Sequence, residues 1–182
     1  MKSIYLLLTR STSVPSRLIG LFTSEPFTHV SLAFDPELTV LYSFARKYPA
    51  VPLPAGLMEE HLDCGFYRRQ GNIPCALLQI DVPDKIYFRA KTFVYNMFQC
   101  RKDYHYNFFG LLLCRLRIPH DTPNQYFCSQ FVSTVLAESG ALELPKPASL
   151  MHPFDFCSLD GLHVLYLGGL TDLRAVCPAV PA

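Results

Sequence analysis

The sequence predicts a single α+β domain spanning residues 1–182, on three observations. The chain opens on an apolar strand, and an alternating pair of β-rich segments follows at 28–34 and 40–44. Two stretches with helical spacing come later, at 84–100 and 127–139. Strands and helices are therefore partly segregated along the chain, as in α+β folds. At 182 residues the chain is long enough for one domain with a real core and short for two.

Residues 4–9 (Ile-Tyr-Leu-Leu-Leu-Thr) form the first predicted strand. Ser16 to Thr23 reads as a short helix with Ser13 or Ser16 at its cap. Thr28 to Phe34 alternates, the Asp35-Pro36-Glu37 run turns the chain, and Val40 to Phe44 returns as its partner. Pro49, Pro52 and Pro54 mark a loop or edge excursion rather than a domain boundary. Phe66 to Arg69 and Cys75 to Val82 read as two more strands. The helix over Asp84 to Cys100 places Ile86, Ala90, Phe93, Val94 and Met97 on one side. The helix over Phe127 to Ser139 is closed by Gly140, where a C′ glycine belongs. A last strand, His163 to Leu167, precedes a tail ending in Pro and Ala. Phe108 to Leu113 is the longest apolar stretch and is expected in the core.

Composition narrows the functional classes. Half the residues are hydrophobic and 17% are charged, which disfavours a disordered chain. A net charge of +1 offers no single-sign field to steer nucleic acid, so no nucleic-acid partner is expected. The N-terminal apolar run stops at Thr9-Arg10, too short for a signal peptide. No stretch approaches the roughly 20 apolar residues of a membrane span, so stable membrane insertion is not expected. A cytoplasmic location follows as an expectation.

Seven irregularly spaced cysteines, with no C-x-x-C pair, read as reduced thiols rather than a disulfide framework or zinc site. His61, Cys64 and Cys75, or His152, Cys157 and His163, are the two sets that offer three metal ligands; neither has a recognised spacing. No metal and no organic cofactor is expected.

Cys128 falls at the start of the second helix, beside a stripe of Phe127, Phe131, Val132, Val135 and Leu136. Free backbone N–H groups and the helix dipole stabilise an anion there, which favours the thiolate and an oxyanion formed next to it. A buried structural cysteine is the alternative. His29 lies on a strand whose Val30, Leu32 and Phe34 form the apolar side, so it points the other way, with Ser31 and Ala33 leaving room for its ring. A histidine facing a cysteine at a helix start activates the thiol.

These segments resemble a known family. Thr28-His29-Val30-Ser31-Leu32-Ala33-Phe34-Asp35 resembles the histidine strand of circularly permuted NlpC/P60 proteins, the papain-like group that includes YiiX-like and lecithin:retinol acyltransferase-like enzymes. Phe127-Cys128-Ser129-Gln130-Phe131-Val132 resembles their nucleophile motif, commonly Cys-Ser-Glu. Tyr106-Asn107 resembles the pair preceding the nucleophile helix, and Ser149 to Asp155 the Pro-containing segment after it. Histidine early and cysteine late marks the permuted branch. Uncharacterised bacterial members with Thr-His-x-Ser, Leu-Tyr-Ser-Phe and Cys-Ser-Gln-Phe-Val are the most similar. The resemblance covers residues 4 to 156.

It implies a papain-like antiparallel sheet packed on the nucleophile helix, and amide, ester or thioester chemistry through an acyl-enzyme. Cys128 is then the nucleophile, His29 the base, and the Cys128 N–H with the Tyr106 hydroxyl the oxyanion donors; a core tyrosine is the other reading of Tyr106. The family often has a polar or acidic third residue on the following strand, where Ser43 is the only small polar side chain. Ser43 or a main-chain oxygen, rather than a buried acid, is expected to orient His29; Glu59 and Glu60 are the acidic alternatives. A small peptide or acyl substrate is implied, and Phe108–Leu113 offers a lining for an acyl chain. Arg115-x-Arg117 and His120-Asp121 would flank a carboxylate-bearing substrate or stand as solvated loop charges. A thioester-forming acyltransferase and a non-catalytic binding module on the same fold are the competing functions.

Overall fold

The computed structural model describes residues 1–10, 25–46 and 55–176. Its axis is β1 (Lys2–Thr9), buried at every position from Ile4 to Thr9 because both faces of the strand are covered. On one side β1 pairs antiparallel with β2 (His29–Ala33), Thr9 opposite His29 and Leu7 opposite Ser31. On the other it pairs with β5 (Pro74–Val82) over its whole length. Outside β2 lie β3 (Leu41–Arg46) and then the edge strand β4 (Ala55–Glu60), while β8 (His163–Gly169) flanks β5. All five pairings are antiparallel. A separate two-residue parallel pairing joins β6 (His105–Tyr106) to β7 (Gln125–Tyr126).

Strand alternation divides the apolar residues between two cores. Ile4, Leu6, Leu8, Val30, Leu32 and Phe44 lie under α2 (Asp84–Gln99) and α4 (Cys128–Ser139). Phe131, Val132, Val135 and Leu136 of α4 are wholly buried in this core, each contributing about 1.5–3 kcal/mol of transfer free energy. On the opposite face Tyr5, Leu7, Ala33, Leu41 and Leu77 pack with Tyr67 of α1 (Gly65–Arg68) and with Leu170 and Leu173 of α5 (Leu170–Val176). The fold is thus mixed α+β built on an antiparallel sheet, and the hairpin of 28–34 with 40–44 pairs as expected.

Four local expectations change. Phe66–Arg69 is part of a helical turn, not a strand: packing Tyr67 against the second core outweighs the β preference of Phe and Tyr. Residues 55–60, which carry no strand signal, form the sheet edge because β3 offers them a ladder of six partners. Phe108–Leu113 falls in α3 (Phe108–Arg115) and is not core, since Phe109 and Leu112 are 60% and 57% exposed. Leu170–Val176, expected as tail, is helical and closes the second core. The helix expected at Ser16–Thr23 and the prolines at 49, 52 and 54 lie outside the described residues. Among the described residues no helix is long and apolar enough to cross a membrane.

Candidate active site

Helix α4 begins at Cys128 itself, with Phe127 in extended conformation as its cap residue and the first intrahelical bond running from the Phe131 N–H to the Phe127 carbonyl. The amides of the first turn are therefore free to face an anion. Gly140, at φ 78°, ends the helix in the left-handed conformation. Cys128 is 5% exposed, and its thiol lies near enough to the His29 imidazole to raise that ring's pKa. β2 and β3 pair at Leu32–Tyr42, and His29 starts β2 at the end of the strand nearest Thr9 of β1.

The other side of that ring meets a buried acid. His29 Nε2 lies 3.2 Å from Glu60 Oε2, an ion pair with both side chains almost fully enclosed. The same carboxylate oxygen accepts from Ser31 Oγ at 2.8 Å and from Ser43 Oγ at 2.6 Å. With the Ser31 proton committed to Glu60, the Tyr67 hydroxyl, 2.8 Å from Ser31, donates to it and continues the chain. A carboxylate at Nε2 keeps the proton on that nitrogen and leaves Nδ1 as the ring nitrogen free for another partner.

The electrostatics follow from this packing. Burial pulls the His29 pKa down, but Glu60 and the Cys128 sulfur outweigh it and raise the pKa to about 10. Burial likewise pushes Glu60 up; His29 and the Ser43 and Ser31 hydroxyls more than reverse it, so its carboxyl stays below the usual range. Tyr67, buried against Glu60, is pushed well above the usual phenol value and remains a neutral donor.

The expectation that Ser43 or a main-chain oxygen orients His29 is therefore corrected. Glu60 occupies that place, and Ser43 stands one bond further back, holding the carboxylate. Ser43 is at the expected strand position; the acid comes from the next strand, where β4 carries Glu60 opposite Leu41. Glu59, its neighbour, is exposed.

Tyr106 lies on the same cleft as Cys128. The β6–β7 pairing brings it there by setting Tyr106 beside Tyr126, two residues before the nucleophile. Asn107 then starts α3 by accepting from the Gly110 N–H at 2.7 Å. A Cβ at position 110 would collide with that Asn107 amide, which accounts for the glycine. Across the cleft, Ser129 donates to the Met151 carbonyl at 2.6 Å and pins the segment before Pro153 against α4. Gln130 donates to Asp121 at 2.9 Å, and Ser149 donates to the same carboxylate at 3.2 Å. Asp121 is thus a brace between α4 and the following segment rather than a contact for substrate.

A second cysteine–histidine pair borders this cleft. Cys114 Sγ is 3.6 Å from His152 Nε2, and His152 Nδ1 is 3.5 Å from Glu25 Oε1. Burial pushes the Cys114 thiol up to about 11 and the His152 imidazole below its usual value. Neither group is charged near neutrality. Sequence reasoning passed over the pair because the three residues are 25, 114 and 152.

Among the described residues no group of three His, Cys, Asp or Glu side chains is arranged to hold a metal, so neither His61, Cys64 and Cys75 nor His152, Cys157 and His163 come together. The six described cysteines are free thiols. No protein-family model, curated protein or solved structure matches the chain, so the case for function rests on the Cys128–His29–Glu60 geometry.

Proposed function

We propose that the chain is a cysteine hydrolase of amides or esters on a permuted papain-like scaffold, with Cys128 as nucleophile, His29 as base and Glu60 as the acid that orients it. The observation that carries this reading is the unbroken line from the helix-start thiol through the imidazole to a buried carboxylate with three donors on one oxygen. That is the layout of a nucleophile, a base and its orienting group.

In this mechanism the thiol proton resides on His29 in a resting thiolate–imidazolium pair, which the Glu60 charge stabilises. The thiolate adds to the carbonyl, and the oxyanion lies against the Cys128 N–H with the Tyr106 hydroxyl as a second donor from the cleft wall. The imidazolium protonates the leaving group, and water on the freed base releases the acid. The same thioester could pass to an acceptor amine or alcohol, which is the acyltransferase variant. The buried Glu60 carboxylate beside His29 supports the hydrolase reading over a non-catalytic binding module on the same fold.

Hydrolysis of 4-nitrophenyl acetate tests the proposal. The wild type should turn over and carry one acetyl group on Cys128 in a quenched sample, while Cys128→Ala and His29→Ala should fall to the solvent rate. A wild type no faster than Cys128→Ala, with no acetyl on Cys128, would reject the enzyme reading.

A further inference from the structure

The narrow cleft at Cys128 is not closed off. It shares Glu25, Cys114, Arg115 and His152 with a wider pocket of about 560 Å³, a size typical of small-molecule sites. Three cations line that pocket, Arg115, Arg117 and Lys146, against two carboxylates, Glu25 and Asp155. Lys146 is taken by Asp155 at 2.7 Å, and Arg115 lies 3.9 Å from Glu25. Arg117 forms no ion pair with any other described residue, leaving one cation in excess. Its backbone adds a second observation. Arg117 sits just past the end of α3 at φ 59°, where its N–H bonds to the Cys114 carbonyl and that of Ile118 to Leu113. Glycine takes this conformation without steric cost, yet the sequence places an arginine there, in the lining of the pocket.

We infer that this pocket binds a carboxylate of the acyl donor through the Arg117 guanidinium, so that the substrate is an ester or amide whose acyl part bears a free carboxylate. A guanidinium fork matches a carboxylate in two parallel hydrogen bonds. A single excess positive charge, bordered by Glu25 and Asp155, suits a monoanion and disfavours a phosphate dianion. The wall between the two cavities carries Cys114 and His152, both uncharged, so nothing there competes for the anion. This inference rests on the hydrolase reading of Cys128, and it specifies the substrate class for that site.

Two measurements separate the failure of one from the failure of the other. The first compares kcat/KM for the mono-4-nitrophenyl esters of glutaric and adipic acid with that for neutral 4-nitrophenyl esters of equal length. The wild type should prefer the anionic esters by about tenfold, the size of one charge-assisted hydrogen bond. Arg117→Gln should abolish that ratio and Arg117→Glu should invert it, whereas Arg101→Gln, which does not line the pocket, should keep it. Arg117→Gly guards against misfolding: it suits the backbone at 117, so it should hold its melting temperature and still lose the preference. The second measurement needs no turnover. Glutarate should slow iodoacetamide labelling of Cys128 where glutaramide does not, and Arg117→Gln should remove the effect. Protection without any ester hydrolysis would keep the carboxylate site and sink the hydrolase. Hydrolysis with equal rates on charged and neutral esters, or protection by inorganic phosphate stronger than by glutarate, would overturn the carboxylate site alone.

Discussion

Glu60→Gln is the most informative single change, because it removes one charge and little volume. At 3.2 Å and an effective dielectric near 20, the gross attraction between His29 and Glu60 is about 5 kcal/mol before the desolvation of either group. The linkage can be followed group by group. The folded pKa of His29 is raised to about 10, so its contribution to stability is full below the unfolded value of about 6.5 and is lost as pH rises through 10. The folded pKa of Glu60 is lowered, so its contribution is present above the unfolded carboxyl value and is lost on acidification. Between about pH 6.5 and 10 the wild type should therefore lose about 1.4 kcal/mol of unfolding free energy per pH unit from His29 alone. In Glu60→Gln only burial and the weaker Cys128 contact remain, and the His29 pKa should drop to its ordinary value or below. The variant should lose about 3–4 kcal/mol at pH 7, in line with breaking one side of a buried pair. Urea unfolding at half-unit pH steps, beside a proton NMR titration of the His29 ring, measures both quantities. Parallel stability curves for wild type and variant, or a His29 ring still protonated at pH 8 in Glu60→Gln, would show that the carboxylate does not hold the imidazolium.

Ser43→Ala removes a hydrogen bond to a charged acceptor and should destabilise by about 1.5–3 kcal/mol in urea unfolding, while ester hydrolysis falls only modestly, since Ser43 acts through Glu60. Cys114, with its thiol pushed up to about 11, should label with iodoacetamide at pH 7 far more slowly than Cys128, as mapped by peptide mass spectrometry. Gln130→Glu sets a carboxylate against Asp121 in place of an amide donor and should destabilise by about 1–3 kcal/mol at pH 7, with part of the loss recovered at pH 4. Tyr106→Phe should lower kcat for an activated ester and leave stability nearly unchanged if its hydroxyl serves the oxyanion, and the reverse pattern would make it a core tyrosine.

What the sequence made legible was local. Cys128 stands out because a 3.6-residue stripe fixes the helix start, and His29 because Val30, Leu32 and Phe34 fix the strand's other side. Both signals span ten residues or fewer. Glu60 could not be found this way. It lies 31 residues from His29, on an edge strand whose sequence, Ala-Gly-Leu-Met-Glu-Glu, neither alternates nor favours β structure. Only the β3–β4 register turns it inward, and a register belongs to the pair of strands rather than to either one. The adjacent Glu59-Glu60 was the available clue, and it could not say which of the two is buried. The exposed face of α3 misled for the opposite reason: an apolar run predicts burial, but Asn107 and Gly110 fix this helix by its cap, with Phe109 and Leu112 turned outward.

The two cysteine–histidine pairs bordering the cleft show why residue types alone do not identify a site. Cys128–His29 and Cys114–His152 each end on a glutamate, Glu60 and Glu25. In the first, the glutamate is buried, accepts from two serines and gives its charge to one imidazole, whose pKa it carries far above the ordinary value. In the second, the glutamate is partly exposed, stands 3.5 Å from His152 and shares the same oxygen with Arg115, so burial of the imidazole prevails and its pKa falls. A thiol beside a neutral, desolvated histidine keeps its proton, as burial of Cys114 also requires. The same three side-chain types thus give one histidine with a raised pKa and one with a lowered pKa, and the difference lies in what else the carboxylate must bind.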